Sequence, residues 1–113
     1  MLTIYHNPRC SKSRQTLQLI EKANVQVSIV EYLKTPLNAE QIRQLASLLN
    51  VAVIDIMRTK EDEFKQQNLQ DASEATLIQA IVDTPKLLER PIVVKGDKAC
   101  IGRPPENVLP LLS

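Results

Sequence analysis

Aromatic residues are scarce: Tyr5, Tyr32 and Phe64 are the full complement, 3% of 113 residues, and tryptophan is absent. Stacking platforms for nucleic-acid bases therefore have little to be built from. An excess of one charge is missing too, since 14 Lys and Arg against 13 Asp and Glu leave a net charge of +1. No global field gathers nucleic acid or an anionic membrane, although a local cationic pocket stays open. Cysteine occurs twice, at Cys10 and Cys100, beside a single histidine, His6. These residues lack metal-ligand spacing, so neither a structural zinc site nor any other metal is expected. No apolar run reaches the roughly 18 residues that a membrane-spanning helix needs. Met1–His6 has neither the charged start nor the long apolar stretch of a signal peptide. The expectation is a cytoplasmic chain whose thiols stay reduced.

Hydrophobic residues make up 43% of the chain, enough for a core of Leu, Ile and Val in one domain, residues 1–113. Met1–His6 reads as a strand with Leu2, Ile4 and His6 on one face, and Asn7-Pro8 ends it. A helix is predicted from Cys10, with Leu17 and Ile20 inward, Ser11 or Ser13 serving its first-turn amides, and an end at Asn24. Val25–Val30 is β-branched and reads as a second strand. After Thr35-Pro36, Asn38 and Gln41 are spaced as a capping box before a stripe of Ile42, Leu45, Leu48 and Leu49. A short helical piece ends near Met57, and Glu61–Gln67 reads as a solvated helix or turn. Ser73 and Thr76 open a helix that runs to Thr84-Pro85. The remainder is a hairpin, Ile92–Val94 and Lys98–Ile101 around Gly96-Asp97, and a last helix after Pro104-Pro105.

The order is β-α-β, a helical insertion, then β-β-α. This is how a thioredoxin-like α/β domain with a mixed sheet of about four strands is assembled. The core would be residues 1–35 and 89–113, and the insertion about 36–88.

Cys10 carries the most chemical information. It follows a strand and a proline and stands at the first turn of a helix, where free amides and the helix dipole favour a thiolate. Arg9, Lys12 and Arg14 add positive charge, and the same amides can hold an oxyanion. The plainer alternative is a buried structural cysteine. In Cys10-Ser11-Lys12-Ser13 a serine stands where a dithiol oxidoreductase carries its resolving cysteine, so disulfide chemistry must recruit an outside thiol. A phosphatase loop would need arginine at position 16, which is Thr16. Cys100 reads as a small apolar strand residue rather than a resolving thiol.

The run His6-Asn7-Pro8-Arg9-Cys10-Ser11-Lys12-Ser13-Arg14 resembles the active-site start of the glutaredoxin-dependent, ArsC-type arsenate reductases. Glu89-Arg90-Pro91-Ile92-Val93-Val94 and Ile101-Gly102-Arg103-Pro104-Pro105-Glu106 resemble that family's second and third signatures, in the same order. The resemblance implies a thioredoxin-like fold with a helical insertion. It also implies that Cys10 attacks an arsenate oxyanion, that Arg58, Arg90 and Arg103 bind it, and that His6, Ser13 and Arg14 tune the cysteine. Met57-Arg58 is the loosest of these matches. Glutathione is implied as co-substrate and glutaredoxin as partner, with no bound cofactor. Taken singly, each arginine could be only a solvated or weakly paired cation, and His6 only a strand residue satisfied by backbone. Two other functions fit parts of the pattern. One is a monothiol glutathione-dependent thiol transferase. The other is a non-enzymatic Spx-like transcription regulator, although such regulators carry Cys where this chain has Ser13.

Overall fold

A computed structural model of the chain describes residues 2–112. The strands are β1 (Leu2–Tyr5), β2 (Val27–Val30), β3 (Ile92–Lys95) and β4 (Lys98–Ile101). The helices are α1 (Ser11–Lys22), α2 (Ala39–Leu49), α3 (Asp62–Gln66) and α4 (Glu74–Asp83), with 3₁₀ segments at Val53–Ile56, Pro85–Leu87 and Pro105–Leu112. The sheet order is β2-β1-β3-β4, with β1 parallel to β2 and antiparallel to β3, and β3 antiparallel to β4. This is the four-stranded mixed sheet of a thioredoxin-like fold. No helix among the described residues is long and apolar enough to cross a membrane.

The chain divides into two compact units, Met1–Thr35 with Arg90–Ser113, and Pro36–Glu89. In the first unit the alternation of β1 turns Leu2 and Ile4 inward, where they meet Ile20 of α1, Val93 of β3, and Val108 and Leu111 of the last 3₁₀ helix. Burying such side chains contributes about 1.5–3 kcal/mol each, against the entropy of ordering them. The inward face of α1 departs from the expected apolar stripe. Its buried residues are Ser13, Thr16 and Ile20, and Leu17 is only half-buried. Neither Ser11 nor Ser13 caps the helix, because no side-chain oxygen serves its first turn. At the other end Asn24 takes a left-handed φ of 57°, which closes the helix where the sequence predicts.

Gly102 explains how the chain leaving β4 approaches α1. A Cβ there would stand 2.5 Å from Thr16 Oγ1 and 2.8 Å from Pro91 Cγ, so only glycine permits the contact. Thr16 Oγ1 donates to the Lys12 carbonyl at 2.8 Å and lies 3.4 Å from the Gly102 carbonyl. Arg90-Pro91 and Arg103-Pro104 are both cis. The last helix is 3₁₀ rather than α over its whole length. Prolines 104, 105 and 110 each remove an amide donor and hold the segment to short turns.

In the second unit the capping box of α2 forms as expected. Gln41 N donates to Asn38 Oδ1 at 2.8 Å, and Asn38 N donates to Gln41 Oε1 at 2.9 Å. The buried face of α2 is Ile42, Leu45 and Ala46, with Leu48 and Leu49 half-buried, and α2 packs on α4. The expectation of a solvated Glu61–Gln67 is corrected. Helix α3 buries Phe64 to 2% exposure, because one aromatic on a five-residue helix suffices to hold it against the core. Met57 and Leu88 form an antiparallel bridge, reinforced by Arg58 N to Leu87 O and Glu89 N to Ile56 O, both 2.7 Å.

Candidate active site

The loop from β1 to α1 is held by backbone bonds and by the side chains of Asn7, Ser13 and Arg14. His6 N donates to Val30 O at 2.8 Å, which extends the pairing of β1 with β2 by one residue. Asn7 is buried; its carbonyl accepts the Cys10 amide at 3.0 Å and its Oδ1 accepts the Arg9 amide at 3.0 Å. These bonds make a tight turn that delivers Cys10 to the N-cap position of α1 with extended dihedrals, φ −94° and ψ 123°. From there its side chain faces the first-turn amides of the helix.

Burial is the largest influence on the Cys10 thiol and acts to raise its pKa. The Ser13 amide, the Arg90 guanidinium and the Lys12 amide act the other way, and together they hold the thiol below its ordinary value. Arg103 Nη2 also donates to Cys10 Sγ at 3.5 Å, and its Nε donates to the Arg90 carbonyl at 2.7 Å. One arginine thus braces the segment that carries the other. The burial of Arg90 pulls its pKa down, but the Cys10 thiolate and the Tyr32 phenol outweigh this and raise it.

His6 is linked to the first turn of α1 through Ser13. His6 Nδ1 lies 2.6 Å from Ser13 Oγ, which also accepts the Asn7 amide at 3.1 Å. Burial lowers the His6 pKa ahead of the opposing charges of Glu31 and Glu21 and the assisting charge of Arg14. The lowered pKa favours the neutral ring, which pairs with the Ser13 hydroxyl through Nδ1. Arg14 Nη1 donates to the Pro8 carbonyl at 3.0 Å and ties the loop to the helix.

The first unit therefore brings Cys10, Arg90 and Arg103 together at the start of α1, with His6, Ser13 and Arg14 behind the loop. Arg58 belongs to the second unit. There its Nε donates to Glu61 Oε1 at 3.0 Å and its Nη1 to Glu89 Oε1 at 3.2 Å. Lys86 bonds the same Glu61 at 3.7 Å and Glu63 at 2.9 Å.

Sequence reasoning missed Tyr32, which is 1% exposed and acts on the Arg90 guanidinium. It also missed Asn7 as the pivot of the turn, and the Thr16–Gly102 contact. The Asn7-Pro8 pair gave a turn signal, but nothing in the spacing around Tyr32 couples it to position 90.

Similarity to known proteins extends over nearly the whole chain. The ArsC family model matches residues 5–111. The arsenate reductase of Haemophilus influenzae is 47% identical over 112 residues, covering 96% of this chain and 97% of that protein. An uncharacterized Escherichia coli K12 protein, YfgD, is 54% identical over 112 residues, covering 96% and 94%. The structure of an arsenate reductase from Vibrio cholerae superposes with a TM-score of 0.94 at 43% identity, covering 96% of this chain and 95% of that one. A cysteine at a helix start under two arginines, in this fold and with these relatives, makes the chain a member of the ArsC family.

Proposed function

We propose that the protein is an arsenate reductase in which Cys10 is the nucleophile. The observation that carries this reading is the convergence on one sulfur of two helix amides, the Arg90 guanidinium and, at 3.5 Å, Arg103 Nη2. Arsenate is a tetrahedral anion, and guanidinium groups offer it paired, charge-assisted hydrogen bonds while the free amides of α1 take a further oxygen. Arg90 and Arg103 are its binding residues. The family resemblance adds Arg58, which would have to exchange Glu61 and Glu89 for the oxyanion.

The sulfur attacks arsenic, an S–As bond forms, and one arsenate oxygen leaves as water after protonation. Glutathione replaces a second oxygen. The two sulfurs then couple: the As–S bonds break, arsenic takes two electrons and leaves as arsenite, and a Cys10–glutathione disulfide remains. A glutaredoxin thiol removes the glutathione and frees Cys10. Ser13 at the resolving position explains the need for outside thiols.

Arsenite formation by the purified protein with arsenate, glutathione and glutaredoxin tests this. The expected result is turnover in the parent and none in Cys10→Ser, which keeps the volume and loses the nucleophile. A parent that deglutathionylates a model disulfide but forms no arsenite would overturn the reading in favour of the thiol transferase.

A further inference from the structure

The residues flanking Cys10 carry charge that the reaction above does not use. From His6 to Arg14 the chain holds three cations, Arg9, Lys12 and Arg14, and no carboxylate. Arg14 is tied to the Pro8 carbonyl. Arg9 and Lys12 are exposed, and among the described residues neither forms an ion pair. Arg9 immediately precedes the cysteine, and the Lys12 amide is one of those acting on the sulfur, so both side chains stem from its immediate rim. Other cations are neutralised by carboxylates, Lys34 by Glu31, Arg58 by Glu61 and Glu89, and Lys86 by Glu61 and Glu63, whereas these two are not. In a chain with a net charge of only +1, two unpaired cations at the mouth of the reactive thiol form a local field.

We propose that Arg9 and Lys12 select, by charge, the thiol or disulfide that exchanges with Cys10, favouring reactants with carboxylates over neutral or cationic ones. The inference rests on reading Cys10 as the reactive thiol, but not on arsenate being the substrate. Arg90 and Arg103 contact the sulfur itself and serve whatever binds there. Arg9 and Lys12 are exposed beside it and meet whatever part of a larger thiol compound remains in solvent. Their attraction works through water, so it is worth a few-fold per charge at low ionic strength and fades as the Debye length shortens.

Disulfide exchange separates this charge selection from catalysis. Three probes attack the same sulfur: the dianionic 5,5′-dithiobis(2-nitrobenzoate), the neutral 2-hydroxyethyl disulfide and the cationic cystamine. In each case the Cys10 thiolate attacks one probe sulfur, the probe S–S bond breaks, a Cys10–probe disulfide forms and the other half leaves as a thiolate. Peptide mapping confirms that the adduct is on Cys10 and gives each second-order rate constant. The neutral probe corrects for any change in the thiol itself. The expected result is that Arg9→Gln/Lys12→Gln lowers the anionic-to-cationic rate ratio about ten-fold at low salt, with most of that difference gone at 0.5–1 M salt. A ratio that moves less than two-fold, in a protein whose Cys10 still reacts, overturns the proposal and leaves the reductase reading standing. A parent that forms no arsenite but shows the ratio change overturns that reading and supports the charge selection. Failure of Cys10 to react with all three probes overturns both.

Discussion

Cys10 and Cys100 are the same side chain in the same unit, and Cys10 is the more buried of the two at 9% exposure, yet the fold drives them in opposite directions. Cys100 lies in β4 opposite Val93 and packs against the apolar core, where burial is the cause acting on its thiol. Burial alone pushes its pKa up to about 11. Burial is also the largest single influence on Cys10 and acts in the same direction, but helix amides and guanidinium groups oppose it there. Surface exposure alone therefore does not set the thiol's charge here. The polarity of the covering groups does, and that follows from Cys10 standing at a helix start rather than in a strand.

The broadest test of this contrast is pH-dependent alkylation of both thiols in one sample with iodoacetamide. A thiol below 9.0 and one near 11 differ at least about a hundred-fold in thiolate fraction at pH 7. The greater intrinsic nucleophilicity of the more basic sulfur takes back about ten-fold. Peptide mapping should show Cys10 modified at least about ten times faster than Cys100. Equal rates would remove the contrast and with it the case for a prepared nucleophile.

A smaller effect isolates the guanidinium. Arg90→Gln keeps a hydrogen-bonding group but deletes the charge, and a neighbouring opposite charge lowers a thiol pKa by about one unit or more. The alkylation profile of Cys10 should move to higher pH, with the rate at pH 7 falling about three-fold after the nucleophilicity offset. Cys100 should be unaffected. An unmoved profile would assign the thiolate to the Ser13 and Lys12 amides and Arg103.

How much of this was legible depends on the range of the interaction. The turn at Asn7-Pro8, the cap at Asn38 and Gln41 and the helix end at Asn24 are local, and local residues state them. Cys10 at a strand-to-helix junction is local too, so a thiol with a lowered pKa can be expected from the chain without a structure. The polar inner face of α1 could not be read in the same way. Thr16 is buried because a loop 86 residues later approaches at Gly102, and periodicity counts only apolar residues. Phe64 was misjudged because its neighbours are polar while its burial is set by tertiary packing. Arg90 and Arg103 were selected by their resemblance to known motifs. Their meeting at one sulfur is a consequence of β3 pairing with β1 and β4 with β3, which no spacing states.

The smallest expected effect concerns stability and uses the two thiols against each other. For Cys100 the folded pKa, about 11, lies above the ordinary 9.0, so the unfolded chain ionises first as pH rises. Its neutral thiol favours the folded state below pH 9, and that preference is lost between pH 9 and about 11. Cys10 has the opposite sign. Its folded pKa is below the ordinary value, so its contribution is present above pH 9 and is lost as pH falls through the folded pKa. Tyr5, raised by burial, joins Cys100 only above its ordinary 10.0. Between pH 8 and 10 the two cysteines therefore oppose each other, and Cys100→Ala should leave only the rising contribution. Urea midpoints at the two pH values should show the variant losing about half to one kcal/mol less than the parent, after discounting for the partial exposure of Cys100. An identical loss in both proteins would mean that Cys100 meets solvent as it ionises, and the apolar half of the comparison would fail.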